Sequence, residues 1–180
     1  MLDLELYKYT DKEKKEVLKS ITVLVDTREQ ESNHILQYFK KKKIPYKIKK
    51  LNHGDYSFFI PKNDGLDIPR DIYFDNIIAI ERKANLNEII GNLTTKRAEF
   101  KHEFSTYAGK MYLLIEDTEY QDIIEGNFDS KMAPATLLSN LHALNHKYGL
   151  EIMYMSDNYY SPIYIYQTFK YYLNNMLRTM

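Results

Sequence analysis

"IIAIERKANLNEIIGNL", residues 77–93, decides how the chain is read. Ile77, Ile78, Ala79 and Ile80 make an apolar run of the kind found in a strand covered on both faces, and the run ends in Glu81, Arg82 and Lys83. Ionised groups at the end of a buried strand are costly unless they are paired or bound to a metal. Period-two alternation sends Glu81 and Lys83 to one face of that strand and Arg82 to the other.

Upstream, "DYSFFI" (55–60) reads as a strand, and a loop over 61–71 with two prolines and a glycine separates it from the next apolar segment. The expectation is one strand over 72–83, antiparallel to 55–60, which brings Asp55 opposite Glu81 and Lys83 in a D…ExK cluster. Further upstream, "ITVLVD" (21–26) is a β-branched strand that ends in Asp26 before "TREQ". An amphipathic helix over 31–43 carries Ile35, Leu36 and Phe39, with Pro45 after it, and a strand over 46–51 is broken at Gly54.

Downstream come a short helix in "NLNEIIGNL", a helix over 95–109 ending at Gly109, a strand over 110–116 ending in Glu116, and a helix over 133–149. A strand over 150–155 and a Ser-Pro helix follow, the latter with Ile163, Tyr166, Phe169 or Lys170, Leu173 and Leu177 on one side. The expected fold class is α/β, a mixed β-sheet flanked by helices in a single domain over 21–180. Residues 1–20 form a charged extension whose Thr10 and Glu13 have capping-box spacing.

The 180 residues, 44% hydrophobic, suffice for one compact domain. With 25 basic and 25 acidic residues, coating nucleic acid by bulk charge is disfavoured. The absence of cysteine excludes disulfides, thiolate zinc sites and cysteine nucleophiles. The N-terminus has no uncharged apolar core and no segment is long enough to span a membrane, so an intracellular, non-secreted protein is expected.

Two carboxylates converging on one point bind a hard divalent cation, typically Mg²⁺ or its Mn²⁺ substitute, through oxygen. A lysine beside them can orient or deprotonate an attacking water, and the set suits phosphodiester hydrolysis. Asp26, Arg28 and Glu29 could complete the site from the neighbouring strand. His142 and His146 stand i,i+4 apart without a third ligand and read as a helix face, while His53 and His102 lie nearer the D…ExK cluster in sequence.

"LVDTREQ", "GDYSFFI" and "IERKANLNEIIGNL" together resemble the nuclease domain of the XPF-type structure-specific endonucleases (XPF/Hef), whose signature is a GD…ERKxxxD block after a V-D-x-R-E strand. The element order continues the likeness over roughly residues 21 to 178. The resemblance implies a restriction-endonuclease-like fold and metal-dependent cleavage of DNA at branched or single-strand/double-strand junctions, as in DNA repair and recombination. It places the metal-binding and catalytic acids at Asp26, Asp55 and Glu81, the catalytic lysine at Lys83 with Arg82 counted among the catalytic residues, and charged motif positions at Arg28, Glu29 and Arg82. Arg97 matches a basic position near the site.

One departure is Asn87, where the signature's closing aspartate falls, with Glu88 beside it on a helix turn expected to point elsewhere. The other is length, from which no helix-hairpin-helix module is expected after the final helix. DNA affinity is then expected from the domain itself, from a homodimer through the C-terminal helices, or from a helicase or recombination protein. Lys41, Lys42 and Lys43 belong to a run of lysines between 40 and 50 suited either to phosphate contacts or to a solvated helix end. Other readings are a non-catalytic DNA-binding scaffold subunit and a four-way-junction resolvase of the same fold. A short, stand-alone version fits a phage or mobile-element genome, acting in the host cytoplasm or nucleoid.

Overall fold

The structure is a computed structural model and describes residues 8–29 and 32–179. In chain order the elements are α1 (Asp11–Lys19), β1 (Thr22–Val25), α2 (Asn33–Lys42), β2 (Tyr46–Ile48), β3 (Tyr56–Ile60), β4 (Ile72–Tyr73), β5 (Ile78–Lys83), α3 (Leu86–Thr94), α4 (Arg97–Thr106), β6 (Lys110–Glu116), α5 (Tyr120–Glu125), α6 (Pro134–Tyr148), β7 (Glu151–Met155) and α7 (Ser161–Thr179). The class is the expected α/β, with a mixed sheet and flanking helices. The chain forms two compact units, one of Met1–Asn52, Tyr56–Asp75 and Pro162–Met180, the other of His53–Asp55 and Asn76–Ser161.

In the first unit, β1 pairs parallel with β2 and antiparallel with β3, and β3 pairs antiparallel with β4. β3 is buried along its whole length because both faces are covered, and its Phe58 stacks on Phe74 at 4.2 Å and meets Phe169 of α7 at 5.3 Å. The capping box of α1 is present: the Thr10 N–H donates to Glu13 Oε2 at 2.7 Å, and the Glu13 N–H donates to Thr10 Oγ1 at 3.3 Å. Of the expected extension, residues 1–7 lie outside the described residues, as do residues 30 and 31 before α2.

α7 buries Ile165, Phe169, Leu173 and Leu177, four apart, so its apolar stripe begins at Ile165 and Ile163 and Tyr166 are half-buried at its edge. This stripe is buried in the chain, with Phe169 against Phe58, and burying it is worth about 1.5–3 kcal/mol per large side chain.

The second unit is a parallel sheet, β5-β6-β7, with Glu81 beside Leu113 and Glu116 beside Met155. Helices α3 to α6 cover it with Leu86, Ile89, Phe100, Phe104, Leu137 and Leu141, all buried. Pro134 opens α6, and Gly149 closes it at φ 65, where a side chain would be strained.

Three expected boundaries move. The strand over 72–83 is two strands, since β4 ends at Tyr73, the Phe74 N–H donates to the Phe58 carbonyl at 3.0 Å, and the turn formers Asp75 and Asn76 intervene before β5. The helix over 95–109 is α4 alone and stops in extended backbone at Tyr107. Gly109 caps nothing; a Cβ there would lie 2.5 Å from the Ile77 carbonyl oxygen, so the glycine serves the close approach that starts β6 beside β5. The strand over 46–51 shortens to β2.

Candidate active site

β5 carries three consecutive charges into the interior, with Glu81 at 5%, Arg82 at 6% and Lys83 at 7% exposure. Such burial is tolerable only because each has a partner of opposite charge. On one face Lys83 Nζ donates to Glu81 Oε1 at 2.5 Å. On the other, Arg82 Nε donates to Glu116 Oε2 at 2.8 Å, and Glu116 arrives from the end of the adjacent parallel strand β6.

Asp55 reaches the same end of β5 through a turn that only glycine suits. Gly54 has φ +67, and a Cβ on it would lie 3.0 Å from Ala79 Cβ and 3.1 Å from the Ile80 carbonyl oxygen. The Asp55 N–H donates to that carbonyl at 2.9 Å, and Asp55 Oδ2 accepts the Arg82 N–H at 2.8 Å. Asp55, Glu81 and Lys83 are therefore neighbours.

Two acids that sequence reasoning misses also stand here. Glu103 of α4 accepts the Gly54 N–H at 3.1 Å. Glu88, expected to point away, turns back: Oε2 accepts the Ala84 N–H at 2.7 Å and Oε1 lies 3.5 Å from Lys83 Nζ. Their signals are Asn85 as N-cap three residues before Glu88, and the Phe100/Phe104 pair that fixes which side of α4 is buried.

Burial, and then the neighbouring charge of Asp55, push the Glu81 carboxyl well above the usual carboxylate range; Glu103 adds to the effect and Lys83 opposes it. Burial pulls the Lys83 ammonium down, but Glu81 and Asp55 outweigh it and raise its pKa. The Glu81 shift comes first from burial, and the Lys83 shift from the acids around it.

The remaining expected residues are distributed as follows. In the first unit Asp26, 1% exposed, receives the Arg28 N–H at 2.7 Å and Arg28 Nε at 2.8 Å on Oδ1, and the Leu51 N–H at 2.5 Å on Oδ2. Burial opposes its ionisation most strongly, yet the bonds from Arg28 and Leu51 together hold its carboxyl below the usual range. Glu29 is half-buried, its N–H on the Asp26 carbonyl at 3.2 Å. Lys41, Lys42 and Lys43 are exposed at the end of α2.

In the second unit Arg97 is exposed at the start of α4, and Asn87 is exposed with its Oδ1 accepting the Asp129 N–H at 2.9 Å. His102 is exposed, and the His53 ring packs 5.2 Å from that of Tyr107. His142 and His146 are exposed with stacked rings, a helix face as read from their spacing.

Among the described residues no group of three or more His, Asp or Glu side chains is gathered so as to hold a metal ion. The donors that do adjoin, Asp55 and Glu81, are hard carboxylate oxygens carrying surplus negative charge, and this chemistry fits a hard divalent cation. No helix among the described residues is long and apolar enough to cross a membrane.

A mixed α/β sheet whose buried strand ends in a paired Glu and Lys, with an Asp delivered by a glycine turn, defines a class of domain. The ERCC4 domain matches residues 25–168, and the chain belongs to this family, that of the XPF nucleases. Among solved structures it is similar to XPF from Aeropyrum pernix, at 17% identity and a TM-score of 0.59 over 84% of this chain and 61% of that one. It is also similar to XPF from Aeropyrum pernix in complex with DNA, at 18% identity and a TM-score of 0.60 over 86% of this chain and 65% of that one. At these identities the likeness shows the fold, and the chain spans less than two thirds of either archaeal chain. No curated protein matches it by sequence.

Proposed function

We propose that the chain is a divalent-metal-dependent endodeoxyribonuclease that hydrolyses phosphodiester bonds at branched or single-strand/double-strand junction DNA. The observation that carries this reading is the buried Glu81–Lys83 pair with Asp55 beside it. A buried strand has no structural need of an ion pair that leaves acids in excess; a bound divalent cation would offset that excess, and the cation in turn would attract a phosphate. Membership of the XPF nuclease family and the DNA complex of the archaeal relative support DNA as the substrate.

In this reading Asp55 and Glu81 hold Mg²⁺ or Mn²⁺; for Asp26 a metal-binding role rests on the motif resemblance alone. The bound ion supplies charge neutralisation at the phosphate oxygens. Lys83, an ammonium with three donors and no acceptor, keeps one donor on Glu81 and directs others at an attacking water or a phosphate oxygen. Arg82 acts from the opposite face, where its bond to Glu116 fixes the end of β5 and so the aim of its neighbours. Arg97 and Lys41, Lys42 and Lys43, all exposed cations, contact backbone phosphates; Arg28 and Glu29 hold the Asp26 turn.

A second reading, a non-catalytic DNA-binding subunit, draws on Asn87, which stands at an acid position of the signature and is turned to Asp129. Labelled flap, fork, four-way and plain duplex DNA incubated with and without Mg²⁺ or Mn²⁺, beside Glu81→Ala, separates the two. Metal-dependent cutting of a branched substrate, lost in the variant, is expected; binding of branched DNA without cutting would transfer the case to the scaffold.

A further inference from the structure

Glu103 lies outside every motif in the chain, yet it is tied to the turn that delivers Asp55. α4 docks through Phe100 and Phe104, 3% and 4% exposed, and the Phe100 ring centre lies 5.6 Å from Lys83 Nζ. Glu103, one turn beyond Phe100, is thereby carried to Gly54 and accepts its N–H at 3.1 Å. The turn is gripped twice. Gly54 presses on Ala79 and Ile80 of β5, leaving no room for a side chain, and Glu103 holds its amide.

A glutamine would accept the same N–H without adding a negative charge near Asp55 and Glu81. Glu103 instead brings a carboxylate to within 3.1 Å of the Gly54 amide, one residue from Asp55, whose own carboxylate accepts the Arg82 N–H beside Glu81. A carboxylate that costs more than its amide makes sense where a cation arrives to offset it.

We infer that Glu103 is a positioning residue for Asp55, fixing the Gly54–Asp55 turn from α4, and that its charge tightens the hold of Asp55 and Glu81 on a divalent cation. The cation is part of the nuclease reading proposed above; the anchoring of the turn is not.

Two variants separate bond from charge, and two of the readouts need no cleavage. In Glu103→Ala, amide exchange at Gly54 should accelerate about 10-fold, the scale of a lost hydrogen bond to a charged acceptor. Mn²⁺ affinity, titrated on the protein alone, should weaken several-fold. In Glu103→Gln, Gly54 exchange should stay as in the parent protein while Mn²⁺ affinity weakens as in the alanine variant. Cleavage of branched DNA should lose kcat in both, with KM for DNA unchanged.

Unchanged Gly54 exchange in Glu103→Ala would overturn the anchoring, and unchanged Mn²⁺ affinity in Glu103→Gln would overturn the role of the charge. If the parent protein binds Mn²⁺ but cuts no DNA, the nuclease reading fails while these two measurements still decide Glu103.

Discussion

The two faces of β5 carry ion pairs built from consecutive residues, and they are balanced differently. Arg82 and Glu116 meet at 2.8 Å with side chains 5% and 1% exposed, a guanidinium matched by a carboxylate from the next strand. Lys83 faces Glu81 at 2.5 Å, but Asp55, Glu88 and Glu103 also act on this pair and the acids outnumber the lysine. The matched pair is what a structural lock requires. The unmatched one is where we propose that a cation binds, and the strand's alternation is what keeps the two apart.

Removing Lys83 should have the largest effect. Lys83→Ala is expected to lower the cleavage rate by about 10³-fold, within the range for a positioned proton-transfer or donor group. DNA binding, measured by titration without metal, should persist. Normal cutting by this variant would erase the functional distinction between the faces.

That Glu81 and Lys83 share one face and Arg82 takes the other is legible in the amino-acid sequence, because it depends only on alternation along an apolar strand. Asp55 is legible too, through a glycine preceding it and a loop after its strand. Glu88 and Glu103 are not: each sits on a helix whose rotation about its axis is set by tertiary packing, at α3 by the Asn85 cap and at α4 by Phe100 and Phe104. The break at Asp75 and Asn76 is hidden because the apolar residues on both sides allow one long strand as readily as two short ones. Gly109 suggests a helix end, whereas the reason for it is a carbonyl distant in sequence, at Ile77.

The matched face should fail differently, in stability and not primarily in chemistry. Arg82→Met leaves Glu116 buried without its guanidinium and should cost about 3–5 kcal/mol, read from urea or thermal unfolding. Adding Glu116→Leu should recover most of that loss, since neither charge is then stranded. A double variant no more stable than the single would mean that the Arg82–Glu116 pair is more than a lock.

A third ion pair, in the first unit, sharpens the contrast through pH. Asp26 is held ionised below the usual range, so it stabilises the fold above an unfolded carboxylate pKa of about 3.9, and this contribution is lost as pH falls through its lower native value. Asp26→Asn should flatten the acid limb of the stability profile and cost about 1–2 kcal/mol at neutral pH. An unchanged acid limb would show that Asp26 is not held as the Arg28 and Leu51 contacts require.

The smallest effect is expected at Glu88, and it tests whether closeness to Lys83 is enough to matter. Its side chain is 40% exposed and 3.5 Å from Lys83, so the pair is partly solvated and worth at most about 0.5 kcal/mol. Its firmer bond is the 2.7 Å acceptance of the Ala84 N–H, which a glutamine oxygen can also make. Glu88→Gln should therefore shift the melting temperature by no more than about 2 °C and the cleavage rate by about 2-fold. A loss approaching that of Lys83→Ala would show instead that Lys83 is held between Glu81 and Glu88, with the acid missing at Asn87 supplied one residue further along α3.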